Sequence, residues 1–273
     1  MSNIINYSSG GLANRILPIL SSLYYSNLAK RNLSICWPSS FIRCQCSFND
    51  LFLNHIPNLS FTELENLEDV VIYSNADAAQ YEYNLNKTDT LLKLFNKYPI
   101  KPLSDARNIP NETVENVIVF SNKLLPDIPR ETHKHSFLKL IPTTPIQDMI
   151  KECTVQLDKS WVGCHLRATD FRTDLGYYRS QMDSLYRDNK NIKFFICSDN
   201  PIFEKELKNS FPMVEFREKN NCVFKKNIDK DWVDNVETPM ESIREALVDL
   251  YLLSKTTIKI YHPNSSFAQL ALL

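Results

Sequence analysis

The chain has 273 residues, enough for one large or two small domains. Apolar residues make up 43% and charged residues 23%, the balance of an ordinary globular protein, so a disordered or fibrous chain is excluded. A formal net charge of -1 argues against a partner such as nucleic acid, whose phosphates need a basic surface, but leaves room for a local basic pocket.

In chain order, Ile4 to Tyr7 reads as a short strand, Ser8-Ser9-Gly10-Gly11 as a loop, and Leu12 to Arg31 as a helix with Ile16, Leu20, Leu23 and Leu28 near one face. Leu33 to Trp37 is the next strand, stopped by Pro38. Residues 41 to 130 are less regular, with strands expected at Val70 to Ser74 and Val117 to Ser121. Leu140 to Pro145 carries two prolines and is the best linker, which divides the chain into domains 1–142 and 143–273. Beyond it the alternation is regular. Thr144 caps a helix with Pro145 in its first position. Trp161 to Leu166 is a strand, Tyr177 to Arg187 a helix, Ile192 to Cys197 a buried strand, and Asn200-Pro201 opens another helix. Thr238-Pro239-Met240-Glu241 reads as a capping box for a helix ending near Ser254, and Thr256 to Tyr261 is the last strand. Strands alternating with helices imply parallel sheets covered on both faces, an α/β protein of two Rossmann-like halves with the ligand in the cleft between them.

No apolar run approaches the roughly 18 residues of a membrane helix, and the first residues lack a basic region followed by an apolar core, so the chain reads as cytoplasmic with no membrane span. Seven scattered cysteines, with only Cys44 and Cys46 close together, fit reduced, buried thiols rather than a metal site.

In open parallel sheets, ligands sit beyond the carboxyl ends of the strands. Three strands of the second half end in polar clusters: His165-Leu166-Arg167-Ala168-Thr169-Asp170, Ser198-Asp199-Asn200, and His262-Pro263-Asn264-Ser265-Ser266. Their convergence on one sheet edge is a stronger signal than any cluster alone.

These residues resemble a known superfamily. His165 to Asp170 is similar to the H-x-R-x-x-D motif of α1,2-, α1,6- and protein O-fucosyltransferases, and Ser198-Asp199-Asn200-Pro201 to the T-D-D-P segment of the α1,6 enzymes. The helix Ala246 to Ser254 with its Asp249, the strand after it and then Ser265-Ser266-Phe267 resemble their third motif. Gly10-Gly11-Leu12-Ala13-Asn14-Arg15 is similar to their G-G-L-G-N-Q/R opening. The match covers residues 160 to 270 and the first 15, and leaves the middle of the first half unmatched. The resemblance implies a GT-B glycosyltransferase that moves fucose from GDP-fucose to a glycan hydroxyl with inversion and needs no metal or other cofactor; bacterial surface polysaccharide synthesis is the expected setting. It implies that Arg167 binds the β-phosphate, that Asp249 and Asp199 with Asn200 hold the guanosine part, and that Ser265 and Ser266 contact phosphate at a helix start. His165, Asn14 and Arg15 complete the donor-binding set.

The chemistry agrees. A departing nucleoside diphosphate gains negative charge, which without a metal must be met by an arginine fork and by backbone N–H groups at a helix N-terminus. Guanine offers N–H donors that a carboxylate accepts. The acceptor hydroxyl needs a base, for which Asp170 is the catalytic candidate, with Asp174 nearby and His165 third. Each residue also has a plainer reading. Arg167 could be a surface residue, Asp170 a turn cap, His165 a core histidine propping its loop, Asp249 an exposed helix residue, and Asn14 or Arg15 a helix cap. Asp229-Lys230-Asp231 resembles a D-x-D metal signature but is read as a solvated loop. Many relatives have a second arginine where Ala168 stands, which removes one phosphate contact. Two alternatives stay open: transfer from another nucleotide sugar, and a non-catalytic nucleotide-sugar-binding protein of the same fold.

Overall fold

The structure is a computed structural model describing residues 2–41, 43–75, 80, 83–84, 88–153, 156–167, 174–220 and 238–273. It divides into two compact units, Met1–Pro142 with Leu273, and Thr143–Leu272. Asp170, the candidate base, lies outside the described residues, as do Ala168 and the Asp229–Asp231 run. No helix among the described residues is long and apolar enough to cross a membrane.

The first unit is built on a five-stranded sheet in which every pairing is parallel, in the order β2-β1-β5-β3-β4. Its strands are β1 (Asn3–Tyr7), β2 (Asn32–Cys36), β3 (Val70–Tyr73), β4 (Ile100–Lys101) and β5 (Asn116–Phe120). Alternate side chains serve opposite faces. Ile5, Tyr7, Ile72, Ile118 and Phe120 pack with Leu64 of α2 (Phe61–Glu65) and with Leu91 and Leu94 of α3 (Thr90–Lys97). Ile4, Val71, Tyr73, Val117 and Val119 pack with Tyr25 of α1 (Leu12–Ala29) and with Ala106 and Ile109 of a 3-10 segment, Leu103–Asn111. Helix α1 stops two residues before the expected Arg31, because Lys30 turns into the left-handed region at φ 53° and ends the helical hydrogen bonding. Helix α4 (Arg130–Leu138) closes the unit.

The second unit opens with α5 (Thr144–Glu152), with Thr143 at its cap and Pro145 in its first turn. Its four-stranded sheet has the order β8-β7-β6-β9, again with every pairing parallel. The strands are β6 (Trp161–Leu166), β7 (Lys193–Ser198), β8 (Val214–Phe216) and β9 (Thr257–Tyr261). Val162, Cys164, Leu166, Phe194 and Ile196 pack with Tyr178 and Met182 of α6 (Leu175–Asp188) and Leu207 of α7 (Pro201–Ser210). The other face meets α8 (Met240–Ser254), and α9 (Ser266–Ala271) follows β9. Helix α8 starts one residue later than the expected capping box, because Pro239 is extended (ψ 161°) and itself occupies the cap position. Gly163 in β6 is required by close approach: a Cβ there would sit 2.1 Å from Thr256 Oγ1 and 2.9 Å from Leu253 Cδ1. At that point the β6–β9 register also shifts, between Gly163 and Cys164.

Candidate functional site

Because the strands of the second unit run parallel, their carboxyl ends share one edge, and the register puts Leu166 beside Ser198 and His165 beside Tyr261. Arg167 follows β6, Asp199 and Asn200 follow β7, and the Ser265–Ser266 turn follows β9. Arg167 Nε lies 3.8 Å from Asp199 Oδ2, with the Arg167 side chain about one-third exposed at 32%. That combination, a cation aimed across the strand ends and still open to solvent, suits the oxygens of a bound anion.

The supports beneath it are buried. Ser198 Oγ donates to the Leu166 carbonyl (2.9 Å) and accepts from the Asn200 amide (3.0 Å), which ties the ends of β6 and β7 together. Asn200 Oδ1 caps α7 by accepting from the Ile202 amide at 2.9 Å. His165 is buried and stacks on Phe267, with ring centroids 4.7 Å apart, while its Nδ1 lies 3.2 Å from Ser265 Oγ. Ser265 Oγ also accepts from the Ala268 amide (3.2 Å) and so caps α9. His165 therefore fixes the turn from which α9 starts, while Ser266, the first residue of the helix, is only partly covered. Asp174 accepts from the Gly176 amide at 2.8 Å and caps α6.

Asp249 is buried, not exposed on its helix. Its neighbours Leu247, Val248, Leu250, Leu252 and Leu253 are buried too, so the α8 face that carries it is interior. Two cations missed in the sequence meet its carboxylate: Arg217 Nε donates to Oδ1 at 3.0 Å, and Lys219 Nζ lies 3.1 Å from Oδ2. Arg217 Nη2 also donates to the Glu245 carbonyl at 3.0 Å. Both cations follow β8, the shortest strand of this sheet, so a fourth strand end contributes to the same edge. Lys219 contacts Glu204 of α7 as well, and Glu204 accepts from the Ser198 amide at 2.8 Å. The network thus joins β7, α7, α8 and the end of β8. Burial would lower the Lys219 ammonium pKa, but Asp249 and Glu204 overcome it and raise it, so Lys219 stays charged. Burial pushes the Glu204 carboxyl up to about 7, with Lys219 opposing.

In the first unit, Gly10 takes φ +76° after β1, a conformation open to glycine, and Gly11 caps α1. Asn14 is partly exposed in the first turn of α1. Arg15 is buried at 0% exposure, and its Nε and Nη1 donate to the carbonyls of Gly10 and Pro38, both at 2.9 Å. It braces the glycine loop from behind.

No protein-family model matches the chain, and no curated protein matches it. Solved structures do. The fucosyltransferase NodZ from Bradyrhizobium superposes with a TM-score of 0.65 at 16% identity, covering 99% of this chain and 91% of that one. NodZ α-1,6-fucosyltransferase co-crystallised with GDP gives 0.64 at 16% identity, covering 100% and 92%. A variant of Arabidopsis thaliana FUT1 in complex with GDP gives 0.58 at 14% identity, covering 99% and 68%. At this identity the likeness is one of fold, and this chain has the α/β fold of these GT-B fucosyltransferases, with two units each built on a parallel sheet.

Proposed function

We propose that the chain is an inverting glycosyltransferase that moves fucose from GDP-fucose to a hydroxyl of a glycan acceptor, without a metal ion. The observation that carries this reading is the meeting of Arg167, Asp199 and the Ser265–Ser266 helix start at the carboxyl edge of one parallel sheet. The fold, shared with fucosyltransferases crystallised with GDP, supports it.

In this reading Arg167 grips the β-phosphate, and Asp199 holds its guanidinium toward the strand ends until the diphosphate arrives. The first N–H groups of α9 have no partner within the helix and face the same charge. Ser265 Oγ is engaged with His165 and the Ala268 amide, so its turn contributes through the main chain. The guanosine part is held by Asp199, Asn200 and Asp249; each Asp249 oxygen keeps a second lone pair after meeting Arg217 or Lys219. Asp170 is the proposed base, and Asn14 in the first turn of α1, beside the glycine loop that Arg15 braces, a further substrate contact. The proposed setting is synthesis of a bacterial surface polysaccharide in the cytoplasm. A second reading, donor binding without transfer, is favoured by Ala168, which stands where the resembling enzymes often carry a second arginine.

The test is to measure GDP or UDP release from GDP-fucose, GDP-mannose and UDP sugars, with and without glycan acceptors. Preferential turnover of GDP-fucose supports the proposal. Binding of GDP-fucose with no turnover would install the second reading, and preferential turnover of another donor would keep the enzyme class and remove fucose.

A further inference from the structure

The loop after β2 carries a feature outside the donor edge. Cys44 and Cys46 are both buried, with their sulfurs 3.6 Å apart. The main chain holds them together: the Cys44 amide donates to the Phe41 carbonyl at 3.0 Å, and Trp37 Nε1 donates to the Cys46 carbonyl at 2.8 Å.

A buried cation lies beside the pair. The Arg15 guanidinium sits 5.0 Å from the Trp37 ring centroid and 5.6 Å from that of Phe41. Its hydrogen bonds go to two neutral carbonyls, its Nη2 is buried without a hydrogen-bond partner, and among the described residues no carboxylate forms an ion pair with it. A full charge buried against neutral groups is costly and calls for a nearby anion. The charged group it can obtain locally is a thiolate. The hydrogen bond between the two sulfurs, with Arg15 alongside, lowers the Cys44 pKa against its burial. Cys46 moves up, through its hydrogen bond with Cys44, its burial and the negative charge of Asp50. Cys46 and Arg15 are thus the groups that set the titration of Cys44, and Asp50 acts on Cys46.

We propose that Cys44 and Cys46 form a reversible dithiol–disulfide site, in which Cys44 is the attacking thiolate and Cys46 the resolving thiol. The co-reactant is a hydroperoxide. The Cys44 thiolate attacks the terminal peroxide oxygen, the O–O bond breaks, and the departing alkoxide or hydroxide takes up a proton. This leaves a sulfenic acid on Cys44. The Cys46 sulfur then attacks the Cys44 sulfur and expels the oxygen as water. The two sulfurs lose two electrons in all, and the peroxide gains them. The sulfurs have to approach from 3.6 Å to the roughly 2.0 Å of a disulfide. Oxidation removes the anion beside Arg15, whose Nε holds the Gly10 carbonyl, so the redox state is transmitted to the glycine loop at the end of β1. The proposal stands on the first unit alone and does not depend on the transferase reading.

The experiment treats the folded chain with stoichiometric hydrogen peroxide, alkylates it after denaturation and maps its tryptic peptides by mass. The expected result is a peptide beginning at Cys44 that has lost two hydrogens, regains them with dithiothreitol, and forms before the more exposed Cys153 is modified. Cys44→Ser abolishes the product, whereas Cys46→Ser leaves a Cys44 sulfenic acid that dimedone traps. Arg15→Met slows the reaction more than about tenfold at neutral pH and moves its pH profile upward; Arg15→Lys, which keeps the cation, retains most of the rate and serves if the methionine variant does not fold. The proposal is overturned if Cys153 oxidises while Cys44 and Cys46 remain two thiols, or if the two serine variants behave alike.

Discussion

Lys219→Met tests whether the buried network at the end of β8 is held by charge. The Lys219 side chain is 5% exposed, with Glu204 and Asp249 on either side of it at 1% and 6%. Methionine matches the length of the stem and removes the ammonium, leaving Glu204 buried without its cation while Asp249 keeps Arg217. Removing one partner of a buried pair costs about 3–5 kcal/mol, because the remaining charge is uncompensated. Glu204 provides the relief. Its folded pKa already stands near 7 against an ordinary 4.5, and loss of Lys219 raises it further. A carboxyl whose folded pKa is raised contributes stability that is fully present below its unfolded pKa and lost as pH rises through the folded value. Between 4.5 and 7, wild type and variant lose stability in parallel, since in both the folded Glu204 holds its proton. Above 7 wild type levels off while the variant continues to fall. The deficit of the variant should therefore be larger at pH 8.5 than at pH 6, by up to about 2 kcal/mol, at about 1.4 kcal/mol for each pH unit between 7 and 8.5. The assay is urea unfolding at both pH values read by pulse proteolysis, which identifies the second unit by the peptides it protects. A deficit below about 1 kcal/mol, or one that does not change with pH, would refute the reasoning.

Four further outcomes are expected. Arg167→Lys should lower donor turnover more than about tenfold, mostly in kcat, because a point charge cannot match two phosphate oxygens as the planar fork does; a loss under about 1.4 kcal/mol in kcat/KM would remove Arg167 from the diphosphate. Excess EDTA should leave turnover unchanged, and activity that disappears and returns with Mn²⁺ would transfer the leaving-group charge to a metal. Asp249→Asn should weaken GDP binding and narrow its preference over UDP in calorimetric titrations; unchanged affinity in a folded variant would confine Asp249 to anchoring Arg217 and Lys219. Gly163→Ala, whose new methyl would overlap Thr256 Oγ1, should destabilise the second unit by about 1–3 kcal/mol in urea, and Thr256→Ala should restore part of that loss.

The polar carboxyl edge of the second sheet was legible where strands are long and apolar. β6 and β7 each run six residues before a polar cluster, so the positions of Arg167, Asp199 and Asn200 followed from strand ends alone. β8 has only three residues after the Pro212 turn, too few to show an alternation, and the charged run Arg217-Glu218-Lys219 after it looks like solvated loop. What puts Lys219 inside is its pairing with Asp249 thirty residues later, a tertiary fact without local pattern. One clue was available: a carboxylate among Leu247, Val248, Leu250, Leu252 and Leu253 is too expensive to bury without a cation. Arg15 misled in the opposite way. A glycine loop followed by arginine suggests a ligand-facing side chain, yet the aromatic rings of Trp37 and Phe41 and the Pro38 carbonyl draw it inward, and none of these has a recognisable spacing from it.

The strand order of the first unit has a consequence for how the chain assembles during synthesis. β1 and β3 do not pair with each other; both pair with β5, which lies between them. Asn3 meets Asn116 across 113 intervening steps of chain, so the first strand made waits for the last strand of its sheet. Until Phe120 has left the ribosome, β1 with β2 and β3 with β4 are two separate ribbons without a shared centre, their inner edges open to other chains. The unit then closes in one move, and a nascent chain stalled shortly before residue 116 carries its exposed edges for as long as the stall lasts.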